Sequence, residues 1–269
     1  MAREGTATSE LGPLSALLAA LIAVWLVVDP HTPDLAAQVY RVSLFREVGF
    51  AVWDDNWYAG HALPGYSLLY PPLAAALGIR LLGALCVIAS SLLFGALVRP
   101  HYGAGARWAV AWFAVGALGD VWIGRLTFAL GVSLALAAAL AFARGRRGSC
   151  VALGVLCAAA SPVAAALLGL AALTLSLARR SPGALLVLAV PGAALVLALA
   201  ALFPEGGYEP YPLLSFAATL GVVLAFAVAL PPEARLARLG AFVYLLACLA
   251  CLLVHTPVGS NVETPFRSM

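Results

Sequence analysis

The residues of this chain that could do chemistry are concentrated in one polar segment, residues 29–71. The segment holds five of the twelve acidic residues, two of the six tryptophans and two of the four histidines. Asp34 follows Thr32-Pro33, a sequence typical of a helix start with Thr32 as the N-cap. Asp34 is therefore either a carboxylate that complements the helix dipole, or a base or charge stabiliser that faces a cavity at the membrane boundary.

Two arginines are candidates for binding an anion. Arg41 lies near the same face of the predicted helix as Asp34, and a guanidinium matches the oxygens of a phosphate in a fork geometry. The alternative is that Arg41 and Arg46 are interfacial charges whose stems snorkel toward water. Arg125 follows Asp120 where two apolar segments meet. These two residues can pair as a structural clasp, or Arg125 can point toward the polar segment and hold an anion.

The second half of the polar segment is rich in acidic and aromatic side chains. Asp54-Asp55-Asn56 is typical of a solvated turn, with a divalent cation site as the alternative. The aromatic residues around it predict a belt at the membrane interface, with stacking on sugar faces as the alternative. These residues are Trp53, Trp57, Tyr58, Tyr66 and Tyr70. The cysteine pair Cys248 and Cys251 has metal-like spacing but no second pair nearby, so we interpret it as packing and predict no metal site.

The composition predicts the elements that position these residues. Of the 269 residues, 64% are apolar and 10% are charged, and the mean hydropathy is +1.01. So few charges cannot form a water-facing surface, and continuous Leu- and Ala-rich runs of roughly 20 residues favour membrane helices over strands. The arginines behind the net charge of +3 punctuate apolar runs and form no patch, which argues against nucleic-acid binding.

The prediction is an all-α, polytopic membrane helix bundle, with residues 1–269 as a single transmembrane domain of about nine spans. Residues 29–71 form an outside loop that carries an amphipathic surface helix. Residues 149–178 are interrupted by Ser161-Pro162 and predict a short, broken helical hairpin that supplies two of the nine. The other spans fall at about residues 11–28, 72 or 81 to 98, 107–122, 126–143, 184–203, 213–230 and 240–255.

The arginines also predict the orientation of the spans. Counted on alternate sides, ten lie on the face of the amino terminus and five on the other face. The ten are Arg3, Arg99, Arg107, Arg144, Arg146, Arg147, Arg179, Arg180, Arg235 and Arg238. The positive-inside rule then predicts a multi-pass protein of the cell membrane, with the amino terminus in the cytoplasm and the carboxyl terminus outside.

Taken together, these features resemble the C-type (GT-C) glycosyltransferase superfamily of polytopic membrane enzymes, and most of all its uncharacterised actinobacterial-type members. The resemblance is firm over residues 29–80 and looser through Arg125-Leu126-Thr127-Phe128 and Ser161-Pro162. Its strongest elements are Pro33-Asp34-Leu35, a surface helix, Trp53-Asp54-x-x-Trp57-Tyr58-x-Gly60 and Tyr70-Pro71-Pro72-Leu73. Similar proteins continue beyond a segment like Asn261-Val262-Glu263, so the chain resembles an amino-terminal half.

The resemblance implies an enzyme that moves a hexosyl or pentosyl unit from a polyprenyl-phosphate donor to a hydroxyl of a cell-envelope acceptor on the extracytoplasmic face. Asp34 would then be the catalytic general base, and Arg41 or Arg125 would bind the donor phosphate. Acceptor contacts would come from Asp54, His61 and Tyr66. The partners would be the lipid bilayer, the donor and the acceptor, with no nucleic acid. No cofactor is implied, and a divalent cation stays an alternative.

Two other functions remain open from the sequence. A membrane transporter of a small solute would use broken spans such as the one at Ser161-Pro162 as its binding site. An inactive amino-terminal fragment is the other alternative. Against a transporter, the polar residues gather in one outer loop and no repeat relates two halves of the chain.

Overall fold

The computed structural model describes residues 4–57, 59–204, 209–231, 233–254 and 261. Most of these residues are helical, and the strands described are a single two-residue pair, β1 (Trp53–Asp54) and β2 (His61–Ala62). The prediction of an all-α fold is confirmed. The helices are α1 (Glu4–Val28), α2 (Pro33–Val48), α3 (Tyr70–Leu77), α4 (Ile79–Tyr102), α5 (Ala106–Trp122), α6 (Leu126–Ala143), α7 (Arg147–Ala160), α8 (Pro162–Arg179), α9 (Val190–Leu202), α10 (Leu213–Ala229) and α11 (Arg235–Leu253).

Five helical stretches of the described chain are long and apolar enough to cross a membrane, which supports the prediction of a membrane-embedded protein. One of them, Ile79–Trp122, contains both α4 and α5. The other four are α6, α8, α11 and the stretch Leu185–Leu202, in which a π-helical segment leads into α9. Shorter apolar helices occur at Ala16–Val28, in α7 and in α10.

Helices α4 and α5 form an antiparallel hairpin. A short 3-10 turn at Gly103–Gly105 separates them, and Gly103 has a φ of 53°. On the two sides of the turn Phe94 and Phe113 stack with their ring centroids 4.4 Å apart. The stretch Ile79–Trp122 therefore folds back on itself and does not form one long rod.

Helix α6 lies at the centre of the bundle and packs mainly on α4 and α7. Its residue Gly131 faces Ser161 and Ala164 so closely that an added Cβ would lie 2.6 Å from the Cβ of Ala164. Its first residue, Leu126, is fully buried beside Trp25, and Phe128 is buried in a second apolar cluster with residues of α7 and α8. Because Arg125 is the N-cap residue of α6, this packing fixes the position of that arginine.

The predicted helical pair of residues 149–178 corresponds to α7 and α8, which meet at Ser161. The hydroxyl of Ser161 accepts a hydrogen bond of 3.3 Å from the backbone N–H of Ala164, and Pro162 occupies the first helical position. Helix α8 is longer than predicted: its 18 residues make it a candidate span, whereas α7 has 14. Pro162 begins this helix and does not shorten it, because a proline at the first position needs no N–H partner.

A third arginine, Arg80 at the start of α4, connects this helix to the end of α1 and the first residues of the polar segment. It forms an ion pair with Asp29 at the end of α1 and donates to the carbonyl of Pro30 over 3.3 Å. Its guanidinium carbon lies 5.1 Å from the centre of the Trp25 ring, a cation–π distance. The start of the segment after α1 is thus tied to the start of α4.

Candidate functional site

Helix α2 turns a polar face toward the protein. Its buried side chains are Leu35, Gln38, Arg41 and Val42, whereas Val39 and Val48 are exposed. The interpretation of Arg41 as a snorkelling charge is wrong, because only 6% of this residue is exposed. Arg46, one turn further on, is exposed and fits that interpretation. The polar face is buried because neighbouring segments supply partners for it.

The amino terminus of α2 is docked on the turn between α5 and α6. Thr32 is the N-cap residue, as predicted, but its hydroxyl donates to the carbonyl of Ile123 over 2.8 Å and makes no capping bond. Gly124 has a φ of 94°, and an added Cβ there would lie 2.3 Å from the backbone nitrogen of Leu35. Only glycine fits this close contact. The contact holds the turn against α2 and thereby places the next residue, Arg125, beside this helix.

Asp34 and Arg125 form an ion pair across this contact. The Nε atom of Arg125 lies 3.5 Å from Oδ2 of Asp34, and the side chains are 15% and 52% exposed, respectively. This separation exceeds the about 2.7–2.9 Å of a tight charge-assisted hydrogen bond. The buried Nη1 of Arg125 has no hydrogen-bond partner. The sequence left two roles for Arg125, pairing with Asp120 or pointing toward the polar segment, and the side chain points toward the polar segment. The contact with Asp120 is a backbone hydrogen bond, from the Arg125 N–H to the Asp120 carbonyl over 2.9 Å.

Arg41 lies in an aromatic cage. Its Nη2 donates to the carbonyl of Ser67 over 2.8 Å, and its guanidinium carbon lies 5.4 Å from the ring centre of Trp57 and 5.2 Å from that of Tyr66. Gln38 donates from Nε2 to the hydroxyl of Tyr66 over 3.1 Å. Burial lowers the pKa of Arg41 to about 10, so this side chain stays charged at neutral pH.

A small cavity adjoins the cage. Its volume is about 30 Å³, and Arg41, Phe50, Leu63, Pro64 and Ser67 contribute to its walls. The Nη1 atom of Arg41 is buried and has no hydrogen-bond partner. A cavity of this size has room for a water molecule but not for a phosphate group.

Asp54 organises the turn between the two short strands. Its Oδ1 atom accepts hydrogen bonds from the Tyr40 hydroxyl over 2.5 Å and from the backbone N–H groups of Asn56 and Trp57 over 2.9 and 2.8 Å. The bond to Asp54 raises the pKa of Tyr40. Opposite Asp54 in the β1–β2 pair lies His61. In this part of the chain the turn interpretation is supported.

A metal site was an alternative for the same acidic turn. Asp55 accepts a hydrogen bond of 2.9 Å from the indole N–H of Trp53. Among the residues that the structure describes, no group of three or more His, Cys, Asp or Glu side chains could hold a metal ion. The alternative of a divalent cation stays untested.

The structure brings the candidate residues together in two groups on one side of α2. Asp34 and Arg125 form the first; Arg41 and Tyr66 form the second, next to the hairpin with Asp54 and His61. Asp34 and Arg41 are separated by seven residues, two helical turns, or about 10 Å along the axis.

Signals in the sequence were weaker for the rest of the cage. Gln38 was assigned to the face of Asp34 and Arg41, but nothing in the sequence marked that face as buried. Trp57 was assigned to an interfacial belt, whereas it is a buried wall of the cage. The clue available for both was that one helix face carried three polar residues while its flanks carried valines.

The chain matches no protein-family model, and the searches of curated proteins and of solved structures found no match either. The function therefore has to be argued from the site alone.

Proposed function

We propose that this chain is a membrane glycosyltransferase-like protein of the C-type superfamily, which transfers a sugar from a polyprenyl-phosphate donor to an acceptor hydroxyl on the extracytoplasmic face. The observation that carries the proposal is the pair Asp34 and Arg125. It combines a half-exposed carboxylate with a partly exposed guanidinium at 3.5 Å, a contact loose enough to leave both groups open to a ligand. Transfer from a lipid phosphate needs both groups: a base for the acceptor and a cation for the departing phosphate.

Asp34 is the general base in this proposal. It takes the proton of the acceptor hydroxyl as that oxygen forms a bond to the anomeric carbon, while the bond from this carbon to the phosphate oxygen breaks. The position supports this role, because the side chain is 52% exposed and the 3.5 Å contact with Arg125 leaves its oxygens accessible. A carboxylate buried in a tight ion pair could not reach an acceptor.

Arg125 binds the departing phosphate in this proposal. Its side chain is mostly buried, which strengthens its attraction to an anion, and its 3.5 Å contact with Asp34 is not a tight charge-assisted hydrogen bond. We assign the donor phosphate to Arg125 and not to Arg41, because Arg41 lies between two rings beside a cavity of about 30 Å³. Arg41 would instead position Trp57 and Tyr66.

The acceptor side of the site would be formed by the loop after α2. Tyr66 is partly exposed and His61 is half-buried, so both can contact a hydroxyl-rich ligand. Asp54 would contribute indirectly, since its Oδ1 already accepts three hydrogen bonds. Exposed Trp53 next to them offers a flat apolar surface of the kind on which sugar rings stack.

The proposed topology has nine spans: α1, α4, α5, α6, α7, α8, α9, α10 and α11. The amino terminus lies in the cytoplasm, and Asp34 and Arg125 lie outside. We expect a single cysteine at Gly65 (Gly65→Cys) to react with an impermeant thiol reagent in intact cells, and one at Gly148 (Gly148→Cys) to react only after permeabilisation. Both glycines are exposed and have no atom within 4 Å of an added Cβ. The reverse labelling pattern would contradict the orientation.

The experiment that tests the function is sugar transfer by the Asp34→Asn variant. The chain is reconstituted in lipid vesicles with a polyprenyl-phosphate sugar donor and a membrane acceptor pool. Asparagine keeps the shape but cannot accept the proton, so transfer should fall by about a hundredfold to ten-thousandfold. Glu47→Gln is the matched control, because it removes an exposed carboxylate from the same helix.

Donor binding separates chemistry from folding in the same experiment. Asp34→Asn should bind the donor at least as tightly as the parent chain, because the arginine contact to phosphate does not need this carboxylate. Undiminished transfer in Asp34→Asn, with donor bound, would remove Asp34 from the mechanism. Movement of a solute across the vesicle membrane, without sugar transfer, would support the alternative function of a transporter.

A further inference from the structure

An apolar groove runs between α8 and α11, and the residues of the site described above do not line it. Its volume is about 350 Å³, within the about 300–1,000 Å³ range of ligand pockets. The walls described are entirely apolar, with Leu170, Leu173 and Leu177 from α8 and Leu239, Phe242 and Leu246 as the larger side chains from α11. Leu177, Phe242 and Leu246 are each about half exposed, so the groove is open on its outer side. A hydrocarbon chain is the ligand that fits such walls.

The floor of the groove is set by a close contact of the two helices. Gly240 of α11 faces Thr174 of α8, where an added Cβ would lie 3.6 Å from the Thr174 methyl group. The Thr174 hydroxyl donates to the carbonyl of Leu170 over 2.8 Å within its own helix. The polar atom is therefore satisfied, and the groove beside it stays apolar.

One end of the groove is basic. Arg235 precedes Leu239, Phe242 and Leu246 by four, seven and eleven residues, so it lies on the same stripe of α11 as these groove residues. Arg180 is the C-cap residue of α8, three residues after Leu177, and has a left-handed backbone conformation.

Arg180 and Arg235 are the arginines at this end that remain available to a ligand. Both are exposed, and neither forms an ion pair with a described residue. Arg179 and Arg238 are engaged elsewhere: Arg179 stacks on Phe142 at 5.8 Å, and Arg238 donates to the carbonyl of Leu230 over 2.6 Å. The end stays net positive despite Glu233 in the preceding turn.

The groove and the Asp34–Arg125 pair lie toward opposite ends of the bundle. Helix α6 begins directly after Arg125, α7 returns from the far end, and α8 runs back and ends at Arg179. The α7–α8 turn is therefore near the Arg125 end, where Ala159 also accepts hydrogen bonds from the backbone N–H groups of Leu68 and Leu69. Arg180 and Arg235 lie at the other end.

We propose that this groove is a binding site for a bilayer phospholipid with an anionic headgroup. One acyl chain lies along the leucines of α8 and α11, and Arg180 and Arg235 bind the phosphate. The charge of the two arginines selects an anionic lipid over a zwitterionic one, and the apolar groove selects a ligand with an acyl chain. By the arginine distribution of the sequence, this end faces the cytoplasm, where anionic lipids attract arginine-rich segments.

The test is native mass spectrometry of the full chain in detergent, with phosphatidylglycerol and phosphatidylcholine of identical acyl chains as probes. Phosphatidylglycerol should bind more tightly to the parent chain. The double variant Arg180→Gln/Arg235→Gln should lose about fivefold in affinity per arginine, about 25-fold in total, and with it the preference between the two lipids. The control Arg99→Gln/Arg107→Gln removes two arginines that the sequence places on the same face, and should keep the preference.

A second variant tests the groove itself. Leu246→Trp narrows the apolar channel while leaving the arginines in place, and should weaken binding of both lipids without changing thermal unfolding. Three outcomes would overturn the proposal: equal binding of the two lipids to the parent chain, equal losses in the double variant and its control, or unchanged binding in Leu246→Trp. Displacement of phosphatidylglycerol by equimolar polyprenyl phosphate would also overturn it, because the occupant would then be the donor.

Discussion

Two arginines, one in α2 and one beside it, have opposite environments. Arg41 is 6% exposed, and its charge faces two aromatic rings and a backbone carbonyl, with no carboxylate among its described contacts. Arg125 is more exposed and is paired loosely with Asp34. Each of the two arginines has a buried Nη1 atom without a hydrogen-bond partner, so the difference lies in the groups around them. Both carry the same charge, yet Arg41 is surrounded by fixed groups whereas Arg125 shares its surroundings with a half-exposed acid.

The difference indicates which arginine stabilises the fold and which one is available for chemistry. Cation–π contacts and a hydrogen bond to a carbonyl stabilise a buried guanidinium without offering a site to a ligand. A loose pair with an open carboxylate offers a ligand both a cation and a proton acceptor. We therefore expect substitutions in the Arg41 region to affect stability most, and those at Asp34 and Arg125 to affect activity most.

The largest effect on stability is expected at the turn that joins the two regions. Gly124→Ala would place a Cβ 2.3 Å from the Leu35 nitrogen at a φ of 94°, so the α5–α6 turn must separate from α2. The free energy of unfolding should fall by about 2–4 kcal/mol. Thermal unfolding in detergent, followed by tryptophan fluorescence, measures it.

The control for this substitution is Gly105→Ala. Gly105 has a φ of −61° and no atom within 4 Å of an added Cβ, so its variant should unfold like the parent chain. Equal loss of stability in the two variants would mean that the turn does not pack on α2 as described.

The next largest effect is expected at Arg41. Arg41→Lys keeps the charge but loses the planar group that stacks between Trp57 and Tyr66, and should lower the free energy of unfolding by about 1–3 kcal/mol. Arg46→Lys is the matched control on the same helix, because this exposed arginine donates to the Ala75 carbonyl over 3.2 Å and has no aromatic contact among the described residues. The control should lower the free energy of unfolding by about 0.5 kcal/mol or less. Chemical denaturation of both variants measures these losses. An unchanged free energy of unfolding in Arg41→Lys would mean that the aromatic cage does not stabilise the fold.

The smallest effect on stability is expected for the Asp34–Arg125 pair. Because half of the Asp34 side chain is exposed, water screens the interaction, and the coupling free energy should be below about 1 kcal/mol. A double-mutant cycle with Asp34→Asn and Arg125→Gln measures it from the unfolding of four proteins. A coupling of several kcal/mol would instead identify the pair as a structural clasp.

Local sequence signals predicted the helices well. The all-α fold, the helix start at Thr32-Pro33 and the break at Ser161-Pro162 depend on apolar runs, prolines and capping residues close together in the chain. Helix α8 is longer than the sequence predicts because Pro162 is its first helical residue and not a break within the segment.

Contacts between distant parts of the chain were beyond these signals. Asp34 and Arg125 are 91 residues apart, and the sequence left both Asp120 and the loop as partners for Arg125. The burial of Arg41 depends on Trp57, Tyr66 and the Ser67 carbonyl, which come from a loop of irregular structure. No periodicity encodes how such a loop folds against a helix, so the inward polar face of α2 could not be predicted.

The most direct test of the comparison is polyprenyl-phosphate binding by the two arginine variants, measured alongside their thermal unfolding. Arg125→Gln should weaken binding by about tenfold or more, the loss of one charge-assisted contact, while its unfolding temperature stays within a few degrees of the parent chain. Arg41→Lys should lower the unfolding temperature, while the folded fraction binds the lipid phosphate as the parent chain does. Unchanged binding in Arg125→Gln, together with lost binding in folded Arg41→Lys, would instead make Arg41 the phosphate-binding residue.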